Sequence, residues 1–182
     1  LGKKSQSGFY KTELTPDWKP IRKVIDPATL EYAEFEFASF PCLETAKKAK
    51  SLAERIQTVV YGDDKGAQFA WKAIANNLIY SVNRIPEISD TIVEIDNAMK
   101  WGFNFEMGPF ETWDAIGLEQ SVARMEKDGL DVPAKVKKML AAGNTSFYKT
   151  ENGRLFYYDF ASESYKERAV SANIVSLASL KS

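Results

Sequence analysis

"KGAQFAWKAIANNLIYSVNRIP", Lys65–Pro86, carries its apolar residues at helical steps. Ala67, Trp71, Ile74, Leu78, Val82 and Ile85 form one stripe at intervals of three and four, and Phe69, Ala70, Ala73, Ala75, Ile79 and Tyr80 widen it. A helix apolar on so much of its circumference is expected at the centre of a helical core. Gly62 and the Asp63-Asp64 pair precede it, and Pro86, which has no amide hydrogen, should end or kink it.

The same period extends in both directions. Ala46, Ala49, Leu52, Ala53, Ile56 and Val60 predict an amphipathic helix over 44–61. Downstream, 90–102 reads as a third helix with Asp90 or Thr91 as cap and Gly102 as stop. Pro109 suits the first turn of a fourth, closed by Gly117. A fifth follows over 118–129, and a sixth, capped by Asp131 and ended by Gly143. Strand character returns in "SFYKTENGRLFYYDF", two aromatic-rich runs around Asn152-Gly153, a hairpin signal. The expected fold is therefore mostly α: a six-helix bundle over 44–160 closed by a small C-terminal β-hairpin.

The flanks read differently. Pro16, Pro20, Pro27 and Pro41 deny residues 1–43 a long helix, and "EYAEFEFASF" alternates as a half-buried strand does. This stretch is expected to be an extended tail and linker. Residues 161–182, polar and then alternating in "IVSLASLKS", are expected to link to a further domain. Phe-Tyr-Lys-Thr-Glu occurs twice, at 9–13 and 147–151. Either this is coincidence in an aromatic-rich chain, or each copy closes a similar unit. The spacing is domain-sized, far beyond a solenoid period, and favours the second reading. With Leu1 in place of an initiating Met, the chain is expected to be a piece of a longer polypeptide.

Composition narrows the function. The 182 residues are 45% hydrophobic, enough for a sizeable core. A net charge of −1 argues against nucleic acid or an anionic membrane as partner, and no apolar run approaches the roughly 20 residues of a bilayer span. One cysteine, Cys42, forbids an internal disulfide and fits a cytoplasmic setting.

Little chemistry is visible. No histidine is present, which removes His-based triads, most zinc sites and the commonest general base near neutral pH. No two glycines stand as Gly-x-Gly, and no Gly-Lys-Ser/Thr follows a glycine-rich loop. Cys42, with no histidine to activate it, reads as a small buried residue. Glu87, Asp90, Glu94 and Asp96 could serve acid–base or metal chemistry, but caps and a solvated helix face are the preferred reading. Lys47, Lys48 and Lys50, like Lys135, Lys137 and Lys138, are read as wet helix faces. Trp101, Phe103, Phe105, Phe110 and Trp113 could line an apolar slot for an acyl chain or a partner helix; core or domain interface is preferred. No catalytic or metal-binding residue is expected in this chain.

The block "IDNAMKWGFNFEMGPFETWDAIGL" (Ile95–Leu118) resembles the signature of the C-terminal helical domain of 3-hydroxyacyl-CoA dehydrogenases. "NNLIYSVNRIPEISDTIVEID" resembles the branch in which dehydrogenase and enoyl-CoA hydratase domains are fused. "LGKKSQSGFYK" is similar to the sequence that closes such a helical domain, with Ser146 replacing Gly8 in the second copy. The resemblance implies a fold like the 6-phosphogluconate dehydrogenase C-terminal domain. It also implies a domain order in which 1–43 ends one helical domain, 44–160 is a second, and 161–182 leads to a hydratase.

The implied activity is NAD-dependent oxidation of a 3-hydroxyacyl-CoA in fatty-acid β-oxidation. The implied NAD site, catalytic His and Glu lie on a Rossmann domain outside this chain. "SVNR" (Ser81–Arg84) imitates the context of a family Asn, but Asn83 falls at a different place in the repeat and takes no role. The implied role of this chain is to pack against the preceding helical domain and support the acyl-CoA cleft, with the Rossmann domain and acyl-CoA as further partners and self-association when isolated. A free-standing helical interaction module is the alternative.

Overall fold

The computed structural model describes Lys4 and residues 8–168. The chain divides between Ser39 and Phe40 into two compact units.

The first unit is a three-stranded antiparallel meander of β1 (Tyr10–Leu14), β2 (Pro20–Ile25) and β3 (Tyr32–Glu34). Tyr10 pairs with Val24 and Ile25 with Tyr32. Pro20 opens β2, the strand position where a missing amide costs least. The strand expected over 31–40 contracts to Tyr32–Glu34. The stretch expected to be tail and linker is thus a small sheet.

The second unit is helical: α1 (Pro41–Ala46), α2 (Leu52–Val60), α3 (Lys65–Asn83), α4 (Ile92–Phe103), α5 (Pro109–Ile116), α6 (Leu118–Lys127) and α7 (Ala134–Ala141). A second antiparallel meander follows, β4 (Tyr148–Glu151), β5 (Arg154–Asp159) and β6 (Ser164–Glu167). The hairpin turns at Asn152-Gly153, both at positive φ, and β6 adds a third strand within the stretch expected to be linker. The alternation in "IVSLASLKS" lies outside the described residues.

Trp71, Leu78, Ile92, Phe110, Trp113, Met125, Met139 and Phe147 form the core of this unit. Helix α3 supplies Trp71, Ala75, Leu78 and Val82 to it, and also buries Ala67 and Ser81. Its other side is open, for Phe69 and Tyr80 are exposed, so the helix lies against the core and is not enclosed by it.

Local chemistry explains where the elements differ from expectation. The helix expected over 44–61 is two helices, because Ser51 turns extended and its hydroxyl takes the Glu54 amide, while the Glu54 carboxylate takes the Lys50 amide. Pro41 opens α1. Thr91 is the cap of α4. Gly102 does not stop that helix; Asn104, left-handed at φ 57°, does. Asp131 does not cap α7, whose start is set by Pro133.

Two cations close helix ends. The Arg124 guanidinium donates to the Val60 carbonyl of α2 at 2.7 Å. Lys135, half-buried and not on a wet face, donates to the Val82 carbonyl in the last turn of α3 and to the Ile85 carbonyl just past it. Burial depresses its ammonium pKa.

Candidate functional site

Helix α5 is where the charged and aromatic signals of the sequence meet. Its N-terminus, at Gly108-Pro109, presents the amides of Phe110 and Glu111 to Asp96 on α4. Asp96 Oδ1 accepts from Phe110 at 2.8 Å, and Oδ2 accepts from Glu111 at 3.1 Å. The Tyr148 hydroxyl donates to the same Oδ2 at 2.8 Å. A side chain on another helix therefore does the work of an N-cap and fixes the α4–α5 angle.

Gly108 is required for this approach. A Cβ there would stand 2.3 Å from Asp96 Oδ1 and 2.4 Å from the Asp96 Cα. One turn further, Asp114 accepts the amides of Phe147 at 2.7 Å and Tyr148 at 2.8 Å, holding the start of β4 to the helix. Glu111 completes the group, accepting from the Gly108 amide at 3.0 Å and from Lys100 at 2.5 Å.

Burial pushes the Asp96 carboxyl up to about 6 and that of Asp114 up to about 7, against the amides they accept and with help from neighbouring carboxylates. Burial and Asp96 likewise push the Tyr148 phenol upward. Shifted acids of this kind mark active sites in many enzymes. Here both oxygens of each aspartate are taken by donors from the protein itself, and the pairings join α4, α5 and β4. The arrangement is a structural lock.

Asp96 was expected on a solvated face and is instead buried. Asp114, Glu111 and Tyr148 escaped the sequence reading; the Asp-to-Gly-Pro spacing was the available signal. Glu94 is exposed, and Glu87 pairs with Arg84. Cys42 is buried, its thiol facing Asp64 Oδ1 at 3.2 Å, and burial raises its pKa. Asn83 is exposed at the end of α3.

The five aromatics separate into two sets. Phe110 and Trp113 are fully buried, their rings 5.0 and 5.4 Å from Phe147, with the Trp113 indole donating to Ser121 at 2.7 Å. Trp101, Phe103 and Phe105 are exposed, by 78, 69 and 51%. Phe105 also lines an apolar groove of about 510 Å³ with Leu52, Ile56, Ile74 and Met107.

No cluster of three or more metal-ligating side chains occurs among the described residues. Both sheets are antiparallel meanders and supply no strand, glycine turn and helix of the kind that cradles a dinucleotide pyrophosphate. NAD does not fit the described residues. No helix of the described residues is long and apolar enough to cross a membrane.

A helical bundle locked through Asp96, Gly108 and Asp114 and closed by an antiparallel meander defines a class of helical domain. Residues 69–157 match the family model described as "3-hydroxyacyl-CoA dehydrogenase, C-terminal domain", and this part of the chain is such a domain. A Bacillus subtilis protein named "Probable 3-hydroxyacyl-CoA dehydrogenase" is 45% identical over 159 residues, 87% of this chain and 20% of that protein. Two proteins named "Putative fatty acid oxidation complex trifunctional enzyme" also match. That of Rickettsia felis is 25% identical over 111 residues, and that of Rickettsia prowazekii 29% over 112. Each match covers 61% of this chain and 14% of the relative. The chain thus spans a fifth or less of the length of these relatives. No solved structure matches.

Proposed function

We propose that this chain is a non-catalytic helical part of an NAD-dependent 3-hydroxyacyl-CoA dehydrogenase of fatty-acid oxidation, fused to an enoyl-CoA hydratase and working in the cytoplasm. It packs against a preceding helical domain and supports the acyl-CoA cleft, while a Rossmann domain outside this chain holds NAD and the reacting groups. The observation that carries the reading is the 45% identity confined to a fifth of a dehydrogenase-named relative, in a stretch where every buried acid already has its partner.

The packing surface in this reading is the aromatic edge of Trp101, Phe103 and Phe105, continuous with the groove beside α2 and α3. Exposed aromatics of this density favour burial against a partner over solvation. Isolated copies should therefore self-associate through the same edge.

Titration calorimetry with NAD, and a turnover assay with 3-hydroxybutyryl-CoA, should give no signal for this chain alone. Micromolar NAD binding or measurable turnover would overturn the assignment. In the polypeptide encoded with its upstream in-frame sequence, the double substitution Trp101→Ser, Phe103→Ser should lower dehydrogenase activity or its thermal stability; an unchanged enzyme would sink the packing role.

A further inference from the structure

Between the C-terminal half of α3, the turn that follows it and α4 lies a cavity of about 460 Å³. Ile88, Ile95 and Met99 line it with apolar surface, and Tyr80, Ser81 and Arg84 bring polar groups to it. A volume of this size suits a small organic molecule.

The polar groups differ in whether their donors are already spent. The Ser81 hydroxyl donates to the Asn77 carbonyl at 2.8 Å. Ser89, also at the cavity, donates to the Thr91 carbonyl at 3.0 Å. Arg84 stands apart. Its Nη1 donates to Glu87 at 2.7 Å, and its guanidinium carbon lies 4.9 Å from the centre of the Tyr80 ring. Its Nε–H is enclosed and meets no acceptor, the one buried side-chain donor so placed among the described residues. Buried donors in proteins are almost always paired, and a guanidinium with one edge given to a carboxylate keeps its Nε edge for a second oxygen.

Charge decides what kind of oxygen that is. Glu87 already balances the guanidinium, and Glu94 lines the same cavity with a second carboxylate. An incoming anion would face two negative groups against one positive. A neutral carbonyl oxygen accepts the same hydrogen bond with no charge to strip of water. The apolar lining favours a ligand whose remaining surface is hydrocarbon. Entry asks only for small side-chain rotations, since Tyr80 and Ile88 are exposed and Glu87 holds Arg84 by a surface ion pair of the weak kind.

The geometry points to this cavity as a binding site for a small uncharged carbonyl compound, in the simplest case an apolar amide. Its oxygen accepts the Arg84 Nε–H while its hydrocarbon part lies on Ile88, Ile95 and Met99. Such a site requires neither NAD nor acyl-CoA, so its test stands apart from that of the packing role.

The probe is N-methylhexanamide, titrated into the isotope-labelled chain and followed by nuclear magnetic resonance at the Arg84 Nε–H, a signal assigned by its loss in Arg84→Met. That signal should shift saturably, with a millimolar or tighter Kd. Hexanoate, a chain of the same length ending in a charge, should bind roughly tenfold more weakly. Read from the main-chain amides of Ile95 and Met99, Arg84→Met should weaken binding of the amide by about tenfold, the worth of one hydrogen bond to a charged donor. Ala98→Trp, at an exposed position of α4 that lines the cavity, should abolish binding and leave the circular dichroism of the chain unchanged. The absence of a saturable shift, hexanoate binding as tightly as the amide, or an affinity indifferent to both substitutions overturns the proposal.

Discussion

Gly108 lies so close to Asp96 that no side chain fits between them. Because a Cβ at 108 would overlap backbone as well as carboxylate, Gly108→Ala should destabilise the chain by about 1–3 kcal/mol, the usual cost of overpacking, measurable by urea unfolding. The buried acids also set a pH dependence. An aspartate unfolds to its ordinary value near 3.8, but Asp96 and Asp114 hold their protons to about 6 and about 7 when folded. Their contribution is complete below pH ~4 and is lost as pH rises through 6 and 7, when the folded state must accommodate buried charge. The urea midpoint should therefore be lower at pH 8 than at pH 5. Asp114→Asn, which cannot ionise, should narrow that difference. The groups shifted the other way, Glu13 to about 2 and Asp64 below its ordinary value through amides of Ala67 and Cys42, act below this window.

Among the elements, the strongest periodicities were the easiest to read. Helices α3, α5 and α6 and the Asn152-Gly153 hairpin follow from stripe, proline and turn residues alone. The break between α1 and α2 does not, since small apolar residues keep the helical period through it; one hydroxyl and one carboxylate near Ser51 decide the matter. Ser51→Ala should cost about 1 kcal/mol and loosen the start of α2, seen as faster amide exchange at Glu54. The end of α4 misled for a related reason: Gly102 is free to turn but is not asked to, and Asn104 tolerates the left-handed conformation. Asp96 was visible as a carboxylate, yet its burial depends on α5 crossing α4, a tertiary fact that no local pattern encodes. Phe147, read only as part of a hairpin, is the residue by which the sheet enters the core, and Phe147→Ala should cost about 3–5 kcal/mol in the same unfolding assay.

At the scale of the whole molecule, the four tryptophans fall into two populations. Trp71 and Trp113 are enclosed, whereas Trp101 and Trp18 are about four-fifths exposed. Emission from this chain should therefore be a sum of a blue, shielded component and a red one open to collisional quenchers such as acrylamide. Trp101 lies on the aromatic edge offered for packing and Trp18 on the loop between β1 and β2, so substituting either indole leaves the other as a single accessible reporter. The molecule thereby carries its own optical gauge, able to register which of its surfaces has been covered without any label being attached.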